Sequence, residues 1–286
     1  MTDTQTTPKI VGFVADLMFT SKIELAARAA GFQMIWVGQA EDIGAVDPHT
    51  PPETPGELLY GREGQLFQKI SEWQPALLLF DLTNTAVPWY GWIPALKSSP
   101  ATRRIPIIAF GPHEDVALFQ SAKDRGADVV YARSRFVRDM PAILQKQAHI
   151  PDYAALADTC AEPLAALARE GIALFNAGAY YQCHDALEAA WNEDATLGRD
   201  LYRGILQFGI ALYQIERGNH RGAVKMLLRV RQWLDPLPDV CRGVRVAELR
   251  ANIQEVATAV QSLGAAELGA FDFALVRPVQ LVEDAA

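Results

Sequence analysis

Apolar runs and amphipathic stretches alternate from residue 9 to residue 147. Ile10-Val11-Gly12-Phe13-Val14-Ala15 is a short apolar run between Pro8 and Asp16. Residues 21–30 then carry Ile23, Ala26, Ala27 and Ala30 at helical spacing, and Gly31 stands where a helix-ending glycine belongs. Met34-Ile35-Trp36-Val37 is again strand-like, and a loop rich in Pro, Asp and Glu follows over 39–61. Its length exceeds the usual connection, which marks a mobile or functional segment. The alternation resumes with a helix over 65–73 and the run Ala76-Leu77-Leu78-Leu79-Phe80, which ends at Asp81. Next come the run 105–110 stopped by Gly111, a helix over 113–124 closed by Gly126, the strand Val129-Val130-Tyr131 and a helix over 136–146. Five buried strands alternating with helices predict a parallel sheet covered on both faces.

Beyond residue 148 the strand-like pattern stops. Residues 148–163 contain Pro151 and Pro163 among polar residues and read as a linker with room for a short helix. Leu164, Leu167, Ala168, Gly171, Ile172 and Phe175 keep helical spacing up to Asn176-Ala177-Gly178. Further helices are predicted over 180–191, 201–216, 221–234 and 245–260, with Gly218-Asn219 as a tight turn. Short connections between amphipathic helices make antiparallel neighbours, so residues 164–264 are expected to form a bundle. The segment 265–286 holds an apolar run over 271–276 that is expected to dock on one of the domains or on another subunit.

The bulk numbers fit two domains: 286 residues, half of them hydrophobic and 21% charged. Residues 1–8 are polar and do not read as a signal peptide, and no apolar run reaches the ~18 residues of a membrane span. The net charge is −8. Residues 1–150 carry 14 basic against 16 acidic side chains, and residues 151–286 carry 12 against 18. Neither half is basic, which argues against broad nucleic-acid binding. Arg221, Lys225 and Arg229 at four-residue spacing read as a solvated face. The three cysteines, Cys160, Cys183 and Cys241, show no CxxC and no even set, so no disulfide framework and no zinc motif is expected. A reducing cytoplasm is the setting this implies.

In an open parallel sheet the functional groups gather at the carboxyl ends of the strands. The pattern places Asp16, Asp81, Gly111 and Arg133 there. Together with Gly126-Ala127-Asp128 before the fifth strand, this set resembles a response-regulator receiver domain over residues 9–147, a flavodoxin-like α/β fold. The resemblance implies that Asp81 is the phosphoacceptor, that Asp16 belongs to the acidic pair, and that Mg²⁺ binds at Asp16/Asp81. Two parts of such a switch are missing. Phe110-Gly111-Pro112-His113 offers no hydroxyl after the fourth strand, and Ala132-Arg133-Ser134 offers no lysine after the fifth. The expectation is therefore a receiver that is not phosphorylated, in which Asp81 caps or hydrogen-bonds backbone. A phosphorylation-controlled regulator using Asp81 is the alternative.

In the second half, Tyr180-Tyr181-Gln182-Cys183-His184-Asp185-Ala186-Leu187-Glu188-Ala189-Ala190-Trp191 carries the chemistry. His184, Glu188 and Trp191 share one helix face, with Tyr180 near its start. The pieces 174–180, His184-Asp185-Ala186-Leu187-Glu188 with Trp191, Arg203-Gly204-Ile205-Leu206-Gln207 and Arg217-Gly218-Asn219 resemble the domain-of-unknown-function family numbered 309. That resemblance spans residues 164–235 and implies a small helical bundle without an established activity. Family members often carry a histidine near the end of the third helix, where Tyr213-Gln214 stands here.

Three readings of this face compete. His184, Glu188 and Gln207 form a buried polar network; or Tyr180, His184, Glu188 and Trp191 line a ligand pocket; or His184 and Glu188 hold a divalent metal. Catalytic zinc takes three protein ligands plus water, one more than this pair supplies. The leading expectation is a regulatory or interaction protein, with a protein partner or a homo-oligomer and without nucleic acid or membrane. A metal-dependent, hydrolase-like enzyme centred on His184 and Glu188 is the alternative.

Overall fold

The structure is a computed structural model that describes residues 7–44 and 61–282. Most of the long loop expected at 39–61 lies outside these residues. Its first part, Ala40–Ile43, is a 3₁₀ turn. The chain divides into two compact units between Ile150 and Pro151.

The first unit runs β1 (Lys9–Phe13), α1 (Leu17–Ala29), β2 (Gln33–Trp36), α2 (Gly61–Trp73), β3 (Leu77–Asp81), α3 (Trp89–Ser98), β4 (Ile107–Gly111), α4 (Val116–Asp124), β5 (Val129–Ala132) and α5 (Arg133–Gln147). All neighbouring strands pair parallel, in the order β2-β1-β3-β4-β5. This is the flavodoxin-like order of the receiver fold, and it reverses between β1 and β3. Successive strand residues point to opposite faces. Ile10, Leu77, Leu79, Ile108 and Phe110 meet Phe19 and Ile23 of α1 and Phe136, Met140 and Leu144 of α5. On the other face Phe13 stacks on Phe80 at 4.1 Å and meets Trp92 of α3 edge-on at 5.7 Å. Both layers are dry: β3 and β4 are buried at every position.

The second unit holds α6 (Tyr153–Cys160), α7 (Ala166–Asn176), α8 (Cys183–Glu193), α9 (Asp200–Glu216), α10 (His220–Leu234), a hairpin of β6 (Val240–Cys241) and β7 (Val244–Arg245), and α11 (Val246–Leu263). Gly178 and Gly218 take left-handed backbone (φ 79° and 68°) in the turns after α7 and α9, where a side chain would be strained. The helices pack closely because glycine faces leucine across their contacts: Gly171 of α7 lies under Leu187 of α8, and Gly204 of α9 under Leu234 of α10. Helix α6 occupies the stretch expected as a linker, and its Leu156 and Cys160 are buried in the core of the helical unit.

Two features correct the sequence reading. Cys160 and Cys241 form a disulfide across 81 residues, tying α6 to β6. The expectation of no disulfide framework fails, because residues far apart in sequence are brought together by the hairpin that no helical pattern announces. The inference of a reducing compartment loses its basis with it. Next to the disulfide, Arg242 has left-handed backbone (φ 51°) and donates its own N–H to the Cys160 carbonyl at 2.6 Å. Its buried guanidinium donates to Tyr202, Glu162 and Thr196 at 2.8, 3.1 and 2.8 Å, and lies 2.8 Å from Asp194. The other feature is the 265–286 segment. As far as Val282 it docks on the helical unit, with Leu268, Phe271 and Val279 in the core.

Among the described residues no helix is long and apolar enough to cross a membrane.

Candidate functional site

Three side chains meet at the carboxyl end of the sheet, beside β3 and β4. Asp81 ends β3, Arg133 opens α5 just after β5, and Thr83 stands two residues beyond Asp81. Thr83 donates to Asp81 Oδ1 through its backbone N–H at 3.0 Å and its hydroxyl at 2.7 Å. Arg133 Nη2 reaches past the end of β4 and donates to both carboxylate oxygens, at 2.8 and 3.0 Å, and to Thr83 Oγ1 at 2.7 Å. The guanidinium carbon lies 5.4 Å from the Phe19 ring centre and 5.5 Å from that of Phe110. Charge pairing and ring contact therefore hold it in one place. The Asp81 side chain is only 5% exposed.

Asp16 does not join this group. Its carboxylate turns to cap α1 and accepts from the N–H groups of Met18 and Phe19 at 2.9 and 3.1 Å. This is ordinary N-cap chemistry. Mg²⁺ wants six oxygen ligands, and here one carboxylate faces a guanidinium and the other a helix terminus. The residues present do not fit that ion. Nearby, Asn84 donates to the Gly38 carbonyl at 2.9 Å, and Trp89 Nε1 to that of Leu82 at 3.1 Å, so the loop after β3 is tied down. His113, beside the end of β4, is exposed and pairs with Glu114 at 3.2 Å.

The helical candidates separate into three places. His184 and Glu188 lie on one side of α8 but at the surface, 34% and 52% exposed. Their closest approach is 3.9 Å, and His184 Nδ1 pairs instead with Asp185 at 3.2 Å. The buried network expected of His184, Glu188 and Gln207 is not formed. Gln207 accepts from Trp233 Nε1 at 3.2 Å. Trp191, two turns beyond His184, forms a ladder of planar groups. The Arg199 and Arg203 guanidinium carbons lie 4.8 and 4.5 Å from its ring centre, and Arg203 lies 4.3 Å from that of Trp233. Tyr180 turns the other way, edge-on to Phe175 at 5.4 Å and stacked on Phe273 at 6.2 Å. Burial, then the nearby Glu216 and Cys183, push its phenol above the ordinary range. Among the described residues no group of three or more His, Cys, Asp or Glu side chains is arranged to hold a metal ion. Thr83, Trp233 and Arg199 are the partners that the sequence reading missed.

Residues 168–226 match a domain of unknown function, DUF309. They are a DUF309 domain. It takes in α7 to the middle of α10, and with them His184, Glu188, Trp191, Arg203 and Gln207. An uncharacterised protein of Aquifex aeolicus is 30% identical over 109 residues, which are 37% of this chain and 30% of that protein. The chain thus spans less than a third of that relative. The first unit is similar to a response-regulator structure from Chloroflexus aurantiacus, at 15% identity over 49% of this chain and 97% of that one, with a TM-score of 0.38. It is likewise similar to the receiver domain of a sensor histidine kinase from Pseudomonas aeruginosa, at 14% identity over 50% of this chain and 98% of that one, also with a TM-score of 0.38.

Proposed function

We propose that the chain is a regulatory or interaction protein whose receiver-fold unit works in one fixed charge state, without phosphate or magnesium, and whose DUF309 domain is the effector or ligand-binding part. The observation that carries this reading is the Asp81–Arg133 contact. Phosphoryl transfer to an aspartate needs a free carboxylate oxygen and a cation to neutralise the incoming charge. Asp81 offers neither oxygen freely, since both accept from a guanidinium that the chain itself supplies. A fixed positive group beside the acceptor leaves no vacancy for a divalent ion and balances the carboxylate permanently. The receiver fold then serves as a docking platform rather than as a timer.

Calorimetric titration with magnesium plus beryllofluoride, which mimics a phosphoryl group on aspartate, tests the reading. No saturable heat is expected. Saturable heat that disappears in Asp81→Asn would contradict it.

A further inference from the structure

The Trp191 ring and two arginines make a cluster that supplies hydrogen-bond donors without acceptors. Arg199 closes the 3₁₀ turn Leu197–Arg199 just before α9, and Arg203 stands one helical turn further on. Their guanidinium carbons lie 4.8 and 4.5 Å from the Trp191 ring centre, and that of Arg203 is also 4.3 Å from the Trp233 ring centre. Trp233 donates its own N–H to Gln207 at 3.2 Å. Trp191 Nε1, by contrast, is shut off from water and has no acceptor. Arg199 is half-buried. Among the described residues it meets no carboxylate, and its one hydrogen bond is a long one, 3.4 Å, to the Asp194 carbonyl. The Asp194 carboxylate is turned elsewhere: it lies 2.8 Å from Arg242 and accepts from the Thr196 N–H at 2.8 Å.

A buried indole N–H without an acceptor is costly, and so is a half-buried guanidinium without a counter-charge. Like charges one turn apart on a helix also repel. One occupant answers all three: an oxyanion. A guanidinium stacked on an aromatic face has its plane covered and presents its N–H edge as a fork that matches phosphate oxygens. Two such groups match a doubly charged head. The indole rings hold them in place before a ligand arrives, which lowers the ordering cost of binding. The size of the ligand follows from the surroundings. Residues 151–286 carry 12 basic against 18 acidic side chains, so a long polyanion is repelled from this unit, while a small anion can reach a local pair of cations.

We infer that Trp191, Arg199 and Arg203 bind a small phosphate-bearing molecule, a phosphate monoester or a diphosphate. This rests on the DUF309 domain being the ligand-binding part, and it names the chemistry of the ligand. Calorimetric titration of the full chain with pyrophosphate, without magnesium, tests it. Saturable one-to-one binding is expected in the wild type and equally in Asp81→Asn. Arg199→Gln weakens it about tenfold or more. Trp191→Phe keeps the ring, loses the N–H and weakens it as well. Arg217→Gln, just past the end of α9, leaves it unchanged. No saturable heat in the wild type, wild-type affinity in Arg199→Gln or Trp191→Phe, or an equal loss in Arg217→Gln overturns the inference. Loss of the heat in Asp81→Asn also overturns it, because the anion then sits at the sheet edge. A short oligothymidylate does not displace pyrophosphate at physiological salt; displacement would make the cluster a nucleic-acid contact and overturn the small ligand. Failure of the pyrophosphate titration leaves the receiver unit to its own titration with beryllofluoride, so the two readings fail separately.

Discussion

Arg133 and Asp81 lie 52 residues apart in sequence, and a single guanidinium nitrogen bonds both carboxylate oxygens. The two partners are not equally placed: Asp81 is buried, whereas Arg133 keeps about a third of its side chain in water. Removing Arg133 therefore strands a buried carboxylate on Thr83 alone. Removing the charge of Asp81 leaves an arginine that water can still solvate. Arg133→Met should lower unfolding free energy by about 2–4 kcal/mol and Asp81→Asn by about 1 kcal/mol. Urea unfolding of both variants checks the asymmetry; equal losses would mean that Asp81 is not buried as described.

The thiols give a direct count. Cys160 and Cys241 are joined and Cys183 is buried. The native protein should show no thiol reactive towards an aromatic disulfide reagent, and the unfolded, unreduced protein one. Three would refute the disulfide. Cys160→Ser should cost about 4 kcal/mol, given the long loop that the bridge closes.

Burial pushes the Cys183 thiol up to about 12. The unfolded thiol ionises at about 8.5, so the folded state keeps its proton where the unfolded state gives it up. This contribution is complete below the unfolded value and is lost as pH rises through the alkaline range towards about 12. Alkaline unfolding should be less steep in Cys183→Ala than in the wild type. An unchanged slope would show that the thiol is solvated.

On α8 the two candidate positions should behave differently. His184→Ala removes a surface imidazole and should change stability by no more than about 0.5 kcal/mol. Trp191→Ala takes the ring from between Arg199 and Arg203 and should cost about 2–3 kcal/mol. Thermal unfolding separates them; a large loss in His184→Ala would restore the buried network.

Close helix contact is testable at Gly171. A Cβ there would stand 2.5 Å from Leu187 Cγ. Gly171→Ala should destabilise by roughly 1–3 kcal/mol despite the better helix propensity of alanine. Chemical denaturation of that variant is the check.

Strands β1, β3 and β4 were legible because each lies in a continuous apolar run closed by Asp16, Asp81 or Gly111, a pattern that strands buried on both faces impose. Helix α3 was not, since Pro88, Pro94 and Pro100 break the spacing that Trp92, Ile93 and Leu96 would otherwise show. The bundle helices fell where their periodicity placed them, yet the disulfide depends on a contact between distant residues that no local pattern encodes. At the sheet edge, sequence put Asp16, Asp81 and Arg133 in one region. Which of them touch is decided by reach: Asp16 is short and adjacent to its own helix, whereas Arg133 is long enough to pass β4. On α8 a four-residue spacing correctly gave a shared face for His184 and Glu188, but spacing does not say whether that face looks inward.

The most direct test of the locked receiver edge is the intact mass of the full chain after incubation with a small acyl phosphate and magnesium. The account predicts an unchanged mass in the wild type. A phosphoryl adduct that is absent from Asp81→Asn would contradict it.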